Sequence, residues 1–322
     1  MSTVSRALKG LAGVSPSLRR KIAAYAEQQG YRPNPFAMSL RYGATRTIGI
    51  VVPDISFNHY AHIVKWLEAE ARKNGYQCIL MDSDDRYAME VECVELLINK
   101  HVDGIALCLS QETVDFAHLQ RLKNIRTPFV LFDRVADVDC PTVSINDSES
   151  ARQATLHLID GGAKRIAFLG GPNKIRQAAH RKHGYLQAMK ERGIPIRKEL
   201  VKCGHASFNS GLSDTLELLD LPEPPDALLA DHGLLSIAAF QAIISKGLRI
   251  PKDVAVVGFM SDWVSGMVYP PMTFVKQNLK EIGRIAFKLL FEQIQENAIV
   301  KHVVVKAQLN VRESTRTVTT QT

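Results

Sequence analysis

Short apolar runs alternate with helical patterns along most of the chain, and this alternation restricts the possible folds more than any other feature. Residues 48–52 form the first apolar run, and residues 60–72 follow with Ile63, Leu67 and Ala71 at helical spacing. The alternation continues to an apolar run at Phe129–Phe132, the fourth predicted strand. Strands separated by helices of this length pair in parallel, and the helices cover both faces of the sheet. The pattern predicts an α/β fold.

The alternation then starts again and produces a second half. Residues 166–169 and 254–257 are predicted to be buried strands, with a helical pattern at residues 184–189 between them. A long helix is predicted for Leu279–Ile294, and two further apolar runs follow it. Two α/β halves, each with its own parallel sheet, imply a cleft between them.

Basic residues are concentrated at the N-terminal end of the chain. Residues 1–46 hold eight Lys or Arg side chains and one acidic side chain, Glu27, which gives +7. The whole chain has 40 basic and 33 acidic residues, so removing eight and one leaves 32 of each sign. A basic segment on a neutral body predicts that the segment meets a polyanion and that the body has another role.

The basic segment also carries helix signals. Ser15 can cap a helix whose first residue is Pro16, and Gly30 can end that helix in a left-handed conformation. The apolar stripe of this helix comprises Leu18, Ile22, Tyr25 and Ala26. A shorter helix is predicted before it, with apolar positions at Val4, Leu8 and Leu11. Asn34-Pro35 predicts the start of a third, very short helix.

Several segments resemble the lactose-repressor/galactose-repressor family of bacterial transcription factors. Thr3-Val4-Ser5-Arg6-Ala7-Leu8 is similar to the recognition helix of that family. The other matching segments, in the same order and spacing, are Gly30-Tyr31-Arg32-Pro33-Asn34, Ala37-Met38-Ser39-Leu40-Arg41 and Arg312-Glu313-Ser314-Thr315. The resemblance implies a two-lobed core like that of periplasmic binding proteins, behind a small all-α helix-turn-helix and hinge segment. It also implies a homodimer that binds a palindromic double-stranded DNA operator.

The N-terminal end departs from the family. Its members have a further helix before the recognition helix, whereas Met1 falls within the recognition helix here. A recognition helix without that partner has no apolar surface to pack against, and so short a helix is marginal alone. We expect the true start codon to lie upstream; the alternative is a truncated product whose head cannot fold fully.

The resemblance also implies the domain boundaries. Residues 1–46 are the truncated DNA-binding head with its hinge helix, residues 47–316 the effector-binding and dimerisation core, and residues 317–322 a tail. Within the core, the chain of such proteins crosses back between the lobes. The expected N-subdomain comprises residues 47–145 and 276–306, and the expected C-subdomain comprises residues 146–275 and 307–316.

Candidate DNA contacts follow from the same resemblance. The recognition helix would present side chains to base edges in the major groove. The hinge helix would enter the minor groove, where Leu40 would wedge between base steps. The implied DNA-binding residues are Ser2, Thr3, Ser5, Arg6, Asn34, Ala37 and Leu40.

A small-molecule effector in the cleft is implied as well. The residues that match the family's effector contacts are His59, Tyr60, Asp133, Arg181, Asp231 and Met260. Some of them have an ordinary alternative: Tyr60 could begin the apolar stripe of its helix, Asp133 could be a loop acid, and Arg181 a surface charge. Arginine, aspartate and tyrosine all suit polyols, so a sugar or a related metabolite is the expected effector.

Two of these positions differ from the family pattern. Asp231 replaces a frequent asparagine, and Met260 replaces an aspartate that often accepts hydrogen bonds from sugar hydroxyls. A methionine cannot accept in that way, although Trp263 nearby could supply an apolar stacking face. The identity of the effector therefore stays open.

Sequence motifs of α/β enzymes are missing. Residues 52–56, at the first strand–helix junction, contain no glycine that would let a pyrophosphate approach the backbone. Residues 170–174 lack the P-loop pattern, and neither H-E-x-x-H nor G-x-S-x-G occurs. Asp82-Ser83-Asp84-Asp85 is predicted to be a strand-to-helix loop with one acid capping the next helix, rather than a metal site. We expect no enzymatic activity, no cofactor and no metal.

Cysteine usage and hydropathy point to the cytoplasm. The five cysteines include no C-x-x-C pair, which is typical of reduced thiols in a cytoplasmic protein. The sequence has neither a secretory signal nor the run of about 18 apolar residues that a membrane span needs. We expect a cytoplasmic protein without a membrane partner.

These observations predict a sequence-specific transcriptional regulator, a repressor, controlled by an effector that changes the angle between the two lobes. The alternative from another class is a solute-binding or sensor protein with the same core and no DNA-binding activity. The truncated head favours that alternative, whereas the missing signal peptide and the charge of residues 1–46 oppose it.

Overall fold

The computed structural model describes residues 3–8, 12–31, 44–296 and 300–316. The chain divides into two units, Met1–Arg46 and Thr47–Thr322. The predicted positions Leu11, Asn34-Pro35 and the rest of the third helix lie outside the described residues.

The first unit contains helices α1 (Thr3–Leu8) and α2 (Pro16–Gln28). The Ser15 hydroxyl accepts a hydrogen bond from the Leu18 N–H at 3.3 Å, and Pro16 is the first helical residue. Gly30 has a φ of 60°, so the predicted cap and the predicted left-handed ending are both confirmed. The apolar stripe of α2 is not buried, since Leu18 is 42% and Tyr25 65% exposed.

The second unit begins with a six-stranded sheet in which all described pairs are parallel. Its spatial order is β11-β5-β4-β3-β1-β2. The strands are β1 Thr47–Val52, β2 Gln77–Asp82, β3 Gly104–Leu107, β4 Phe129–Phe132, β5 Thr142–Ile145 and β11 His302–Val305. We call the part of the molecule built on this sheet the first lobe.

A second six-stranded sheet, described over the same unit, has the order β12-β10-β9-β8-β6-β7. It is parallel except for the antiparallel pair of β10 and β12. The strands are β6 Ile166–Gly170, β7 Val201–Cys203, β8 Ala227–Ala230, β9 Ala255–Phe259, β10 Thr273–Lys276 and β12 Gln308–Asn310. This sheet defines the second lobe. Corresponding strands occupy the same positions in the two sheets. The structure confirms the predicted α/β fold with two parallel-sheet halves.

Helices cover both sheets. They are α3 Asn58–Lys73, α4 Tyr87–Asn99, α5 Ala117–Asn124, α6 Asp147–Asp160, α7 Arg176–Glu191, α8 Phe208–Leu219, α9 Gly233–Ser245, α10 Asp262–Ser265 and α11 Leu279–Ile294. Two glycines allow close helix pairs. A Cβ at Gly184 would lie 2.0 Å from the Ser148 carbonyl oxygen of α6, and one at Gly283 would lie 2.4 Å from the Ile63 carbonyl oxygen of α3. The pair α6–α7 therefore matches the pair α3–α11 in the other lobe.

The chain passes between the lobes at three places: after β5, after β10 and after β11. These passages form the hinge side of the second unit. Because the strands within each lobe are parallel apart from β12, their carboxyl ends share one edge of each sheet. The loops that follow those ends are therefore the ones available to line the space between the lobes.

One local prediction is wrong. Helix α4 has Arg86 as its N-cap, and none of the aspartates of the preceding loop caps it. The Glu112 carboxylate accepts from the Tyr87 N–H instead, at 3.1 Å. The Asp85 carboxylate accepts from the backbone and side-chain N–H groups of Gln111, so it holds a neighbouring loop rather than its own helix.

Candidate functional site

A cavity of about 240 Å³ lies between the two lobes. The first lobe contributes the loop after β1 and the residue after β4. The second lobe contributes α7, the start of α9 and the loop after β9, and Gln277 follows β10 at a passage between lobes. The lining residues are Ser56, Phe57, Asn58, His59, Tyr60, Asp133, Gln177, Arg181, His232, Gly233, Ile237, Phe259, Met260, Ser261, Val264 and Gln277.

Asp133 provides the carboxylate of the cavity. It directly follows β4 and has a φ of 60°, a left-handed conformation that aspartate tolerates better than most residues. The His59 Nε2 atom lies 3.1 Å from Asp133 Oδ1. Burial raises the pKa of Asp133, but His59, Arg181 and Arg134 outweigh that effect and lower the pKa to about 2. Asp133 is therefore an ionised acceptor at neutral pH.

Arg181 provides the guanidinium group. It lies on α7 and is only 3% exposed, so it is not a surface charge. Its Nε donates to Asp147 Oδ1 at 2.7 Å, and its Nη1 donates to the backbone oxygen of Asp231. The guanidinium carbon lies 4.1 Å from the centre of the Phe259 ring, while Nη2 is buried without a hydrogen-bond partner. One side of the group is thus fixed, and the other side keeps unused donors.

Other lining residues also carry buried polar atoms that lack hydrogen-bond partners. Within the described part of the chain, three such atoms belong to this cavity: Arg181 Nη2, Ser261 Oγ and Gln277 Oε1. An unsatisfied buried polar group costs about 1–3 kcal/mol, so native proteins rarely keep several in one place without a reason. The concentration of these atoms indicates a site that a ligand completes.

Asp231 and His232 support this site from behind. The Asp231 carboxylate accepts from the Gly171 N–H at 3.1 Å, and burial raises its pKa to about 6 although Arg181 and Gly171 oppose the shift. Burial and the nearby Arg134 and Arg181 charges lower the pKa of His232 to about 3, so its imidazole is neutral. His232 Nδ1 accepts from the Leu234 N–H at the start of α9, at 3.4 Å.

The rest of the wall is apolar. Phe57 comes from the first lobe, whereas Ile237, Met260 and Val264 come from the second. The Phe57 ring centre lies 5.7 Å from that of His232. Tyr60 is 4% exposed and joins the core cluster with Ile63 and Leu67, so it takes part in the apolar stripe of α3 and lines the cavity as well.

The structure brings most of the predicted effector residues together. His59, Tyr60, Asp133, Arg181 and Met260 line the cavity, whereas Asp231 lies in the layer behind it and presents its backbone oxygen to Arg181. Thr3 and Arg6 are exposed on α1. The remaining predicted positions Ser2, Asn34, Ala37 and Leu40, and the side chains of Ser5 and Trp263, lie outside what the structure describes.

Sequence reasoning missed eleven of the sixteen lining residues, among them Phe57, Gln177, Ser261 and Gln277. Ser261 is next to the predicted Met260, and Phe57 follows the first strand–helix junction. Both could have been proposed, because ligands of parallel sheets bind beyond the carboxyl ends of the strands. Gln177 precedes Arg181 by one helical turn. Gln277 could not be placed, because the strand before it was not predicted.

Comparisons with known proteins agree with this architecture. The family described as periplasmic binding proteins and sugar binding domain of LacI family matches residues 45–316. Catabolite control protein A of Priestia megaterium is 31% identical over 319 residues, which cover 98% of this chain and 96% of that protein. The HTH-type transcriptional repressor CytR of Escherichia coli strain K12 is 31% identical over 317 residues, with 98% and 92% covered. The structure of the transcriptional regulator CelR with cellobiose has a TM-score of 0.78 at 31% identity, and covers 96% of this chain and 94% of that chain.

Two parallel-sheet lobes with a partly polar cavity between them define the class of periplasmic-binding-protein-like proteins. The family match extends over the whole of that core, and the related repressors are similar over almost the entire chain. The chain belongs to the LacI family of transcription regulators, which are not enzymes.

The described residues add two observations. They contain no group of three or more His, Cys, Asp or Glu side chains arranged to hold a metal ion. Within the same ranges, no helix has both the length and the apolar character required to cross a bilayer.

Proposed function

We propose that this protein is a repressor that binds a palindromic DNA operator as a homodimer and responds to a small sugar-like effector in the cavity. The observation that carries the effector part is the buried guanidinium of Arg181, whose Nη2 has no partner, in a cavity with two further unpartnered polar atoms, Ser261 Oγ and Gln277 Oε1. A ligand with hydroxyl groups supplies both the acceptors and the donors that these atoms need.

The proposal that the protein binds DNA rests on the positive charge of residues 1–46 and on the similarity to known transcription regulators. All of the formal excess of +7 belongs to residues 1–46, and Arg6 and Lys21 are exposed there. Positive side chains in this number suit phosphate contacts, which supply most of the affinity for DNA. Among the relatives named above, CytR is a transcriptional repressor and CelR a transcriptional regulator by name. The exposed face of α1 then supplies the base contacts, with Thr3 and Arg6 among them.

A sugar-like effector is supported by the residue types and by one relative. The ionised Asp133 carboxylate and the Arg181 guanidinium come from different lobes, so one polyol can bond to both. CelR was solved with cellobiose. A ligand that bridges the lobes favours the arrangement in which they are close, and a change in the angle between lobes alters the spacing of the two heads in a dimer.

The homodimer is supported by apolar side chains that remain on the surface of the single chain. The exposed large apolar residues of the core include Leu80, Leu96, Ile244, Met267 and Tyr269, and Tyr269 is 88% exposed. A second copy of the chain that covers such side chains removes their apolar surface from water. A second copy of the chain is the partner that a palindromic operator requires.

The proposal is tested by measuring operator binding and ligand binding in the same variants. A DNA site is first selected from a pool of random palindromes, and neutral mono- and disaccharides, including cellobiose, are then screened for a change in operator affinity. Arg181→Ala should lower the affinity for the active sugar at least tenfold, because the ligand loses a charge-assisted bond. Arg192→Ala is the control, since Arg192 pairs with Asp160 on the surface of the second lobe.

The outcomes separate the alternatives. Selection of no palindromic site would leave a sugar-binding protein without DNA function. Equal sugar affinity in Arg181→Ala and the control would remove the effector site from this cavity. Loss of sugar response in Arg181→Ala, with operator affinity kept, is the result that the proposal requires.

A further inference from the structure

A buried carboxylate lies in the first lobe, outside the cavity between the lobes. It belongs to Glu90 on α4, whose side chain is fully buried. Glu90 is not among the residues that line the cavity. Burying a carboxylate costs several kcal/mol unless hydrogen bonds and nearby charges compensate for the lost water. The partners of Glu90 therefore indicate what this side chain does.

Both oxygens of Glu90 have partners. Oε2 accepts from the Ser110 backbone N–H and from the Thr113 hydroxyl, the latter at 2.9 Å. Oε1 lies 2.8 Å from Nε2 of His118, which is on α5 and is also fully buried. The Ser110 and Thr113 hydroxyl oxygens are 2.8 Å apart. Glu90 thus joins α4 to α5 and to residues 108–116, which connect β3 to α5 and which we call the β3–α5 loop.

The β3–α5 loop carries a residue that reaches the second lobe. Gln111 lies within the stretch that Glu90 holds at both ends, and its Oε1 accepts from the Ala206 N–H at 3.0 Å. Its Nε2 donates to the Asp85 carboxylate at 2.9 Å. A carboxylate needs a donor and an N–H needs an acceptor, so these two partners fix which end of the amide faces the second lobe.

Glu90 restrains the loop more firmly than Asp85 does. The Asp85 side chain is 23% exposed, so water competes for its hydrogen bonds, whereas the Glu90 side chain has no exposed surface. Hydrogen bonds in the low-dielectric interior are stronger than those near water. Asp85 holds residue 111 itself, whereas Glu90 holds the loop before and after it. Glu90 therefore fixes the backbone from which the Gln111 side chain extends.

We propose that Glu90 is a positioning residue for the contact between the lobes: with His118 it holds the β3–α5 loop so that Gln111 reaches Ala206. The arrangement of the two lobes is then set partly from within the first lobe, in addition to the hinge passages. This inference requires neither the proposed effector nor DNA binding, because none of these four residues lines the cavity.

Hydrogen exchange of the Ala206 N–H, followed by NMR on the full chain without added ligand, measures this contact. Glu90→Leu removes the acceptor that holds the loop, so the exchange of Ala206 should become about tenfold faster. The Ser210 N–H is the internal reference, since it lies in the same segment of the second lobe and donates to the Ser207 hydroxyl at 3.1 Å. Its exchange should stay unchanged.

Two milder variants test the role of the individual hydrogen bonds. Glu90→Gln keeps an oxygen that accepts from the loop and places an amide N–H group toward His118, so the exchange of Ala206 should stay within about twofold of the natural rate. Thr113→Val keeps the shape of the side chain and removes one donor to Glu90, so the exchange should become about threefold faster. Thr113→Val takes the place of Glu90→Leu in every comparison if the latter does not fold.

A second glutamate on α4 provides the matched control. Glu95 pairs with Arg121 of α5 at 2.9 Å, so it joins the same two helices as Glu90. Glu95→Leu should leave the exchange of Ala206 unchanged. Faster exchange in this variant, equal to that in Glu90→Leu, would overturn the proposal, because any loosening of α4 against α5 would then be sufficient.

The double variant shows whether Glu90 acts through Gln111. In Gln111→Ala the Ala206 N–H has already lost its partner, so the addition of Glu90→Leu should have little further effect on its exchange. An equal effect of Glu90→Leu with and without Gln111, equal acceleration of Ala206 and Ser210, or unchanged exchange of Ala206 would overturn the proposal. Acceleration of Ala206 alone, lost in the Gln111→Ala background, is the result that the proposal requires.

Discussion

At the scale of single residues, surroundings decide what each acid near the cavity can do. Asp133 and Asp231 are both buried aspartates, yet the pKa of Asp133 is lowered to about 2 and that of Asp231 is raised to about 6. His59 lies 3.1 Å from Asp133, whereas Asp231 accepts from a backbone N–H group and meets Arg181 through its carbonyl. Asp133 is suited to accept from a ligand, and Asp231 to position Arg181.

The raised pKa of Asp231 predicts a specific dependence of stability on pH. The folded state holds the proton more tightly than the unfolded chain, so the stabilisation is complete below about pH 4 and is lost as the pH rises through about 6. Asp231→Asn removes this loss and should raise the free energy of unfolding at pH 7.5 by about 1–3 kcal/mol. At pH 4 the variant should gain little. Urea denaturation at both pH values measures the difference.

A surface aspartate provides the control for that prediction. Asp220 is exposed and pairs with Lys246, so Asp220→Asn should change stability little, and equally at both pH values. If Asp231→Asn is less stable than the natural protein at pH 7.5 and shows the same pH profile, the carboxylate is needed in its ionised form and the argument from burial fails.

Sequence reasoning reached some of these residues and not others. Asp133 could be proposed because it follows a predicted strand, and Arg181 because it matches an effector contact of the family that the sequence resembles; the structure places both in the cavity. The role of Asp231 could not be predicted, because its side chain turns toward Gly171, which is 60 residues away in the chain. Such a contact depends on the packing of β6 beside β8 and has no local signal.

At the scale of secondary structure, the loop between β3 and α5 joins the lobes. The Gln111 backbone N–H and Nε2 donate to Asp85 at 2.8 and 2.9 Å within the first lobe. Its Oε1 accepts from the Ala206 N–H of the second lobe at 3.0 Å, and the residue is 4% exposed. Arg134 also donates to Asp85. One glutamine therefore holds the two lobes together beside the cavity.

Removing this bridge should favour a more open arrangement of the lobes. Gln111→Ala leaves the Ala206 N–H without its partner, at a cost of about 1–3 kcal/mol to the closed arrangement, while the Asp85 carboxylate keeps the backbone N–H of residue 111 and Arg134. The radius of gyration of the core should rise, and the affinity for any ligand that contacts both lobes should fall about tenfold. Small-angle X-ray scattering and calorimetry measure the two effects.

An exposed glutamine serves as the matched control. Gln120 donates to Asn124 within α5 and has no contact with the second lobe among its described hydrogen bonds. Gln120→Ala should leave both the scattering and the ligand affinity unchanged. An unchanged radius of gyration in Gln111→Ala, with unchanged affinity, would show that the hinge passages alone set the arrangement.

Helices and strands were predicted best where the apolar pattern repeats over many residues. The helix at Leu279–Ile294 was predicted with its observed bounds, because sixteen residues repeat an apolar face that packs on α3 and the first sheet. Strands β5, β7 and β10 were missed, because each mixes polar with apolar residues and forms no continuous apolar run like that of β4. Helix α8 was missed as well, although Ser207 and Ser210 form a capping box at its start. Missing β10 concealed the position of Gln277.

At the scale of the whole chain, the proposed DNA-binding role belongs to the basic residues 1–46, and the proposed effector-binding role belongs to the neutral remainder. The repeated alternation of strands and helices was sufficient to predict two α/β halves, because each half must cover its own sheet. The same reasoning could not give the three passages between lobes, since the return of β11 to the first sheet depends on its pairing with β5, where His302 lies opposite Thr142, 160 residues earlier. Charge, in contrast, is additive and can be read directly from composition, which places +7 in residues 1–46.

This charge predicts a steep dependence of operator binding on salt. Each phosphate that a Lys or Arg neutralises releases a counterion, and a protein with about 6–10 phosphate contacts loses about 10³–10⁵ in affinity between 50 and 200 mM salt. With eight basic residues in the head and two heads in the proposed dimer, the contacts fall in or above that range. The dissociation constant, measured by fluorescence anisotropy, should therefore rise at least about 10³-fold over this interval.

A single charge tests whether the head is the source of the effect. Lys21 is exposed on α2, so Lys21→Ala should lower the slope of log K against log salt by about 0.9 for each head that loses a phosphate contact. Lys190→Ala removes an exposed charge from α7 of the second lobe and should leave the slope unchanged. A flat response to salt, or an equal reduction by both variants, would show that the charge of residues 1–46 does not hold the phosphates. A reduction by Lys21→Ala alone would place the DNA contacts on the head, because its seven surplus charges are then the ones that exchange counterions for phosphates.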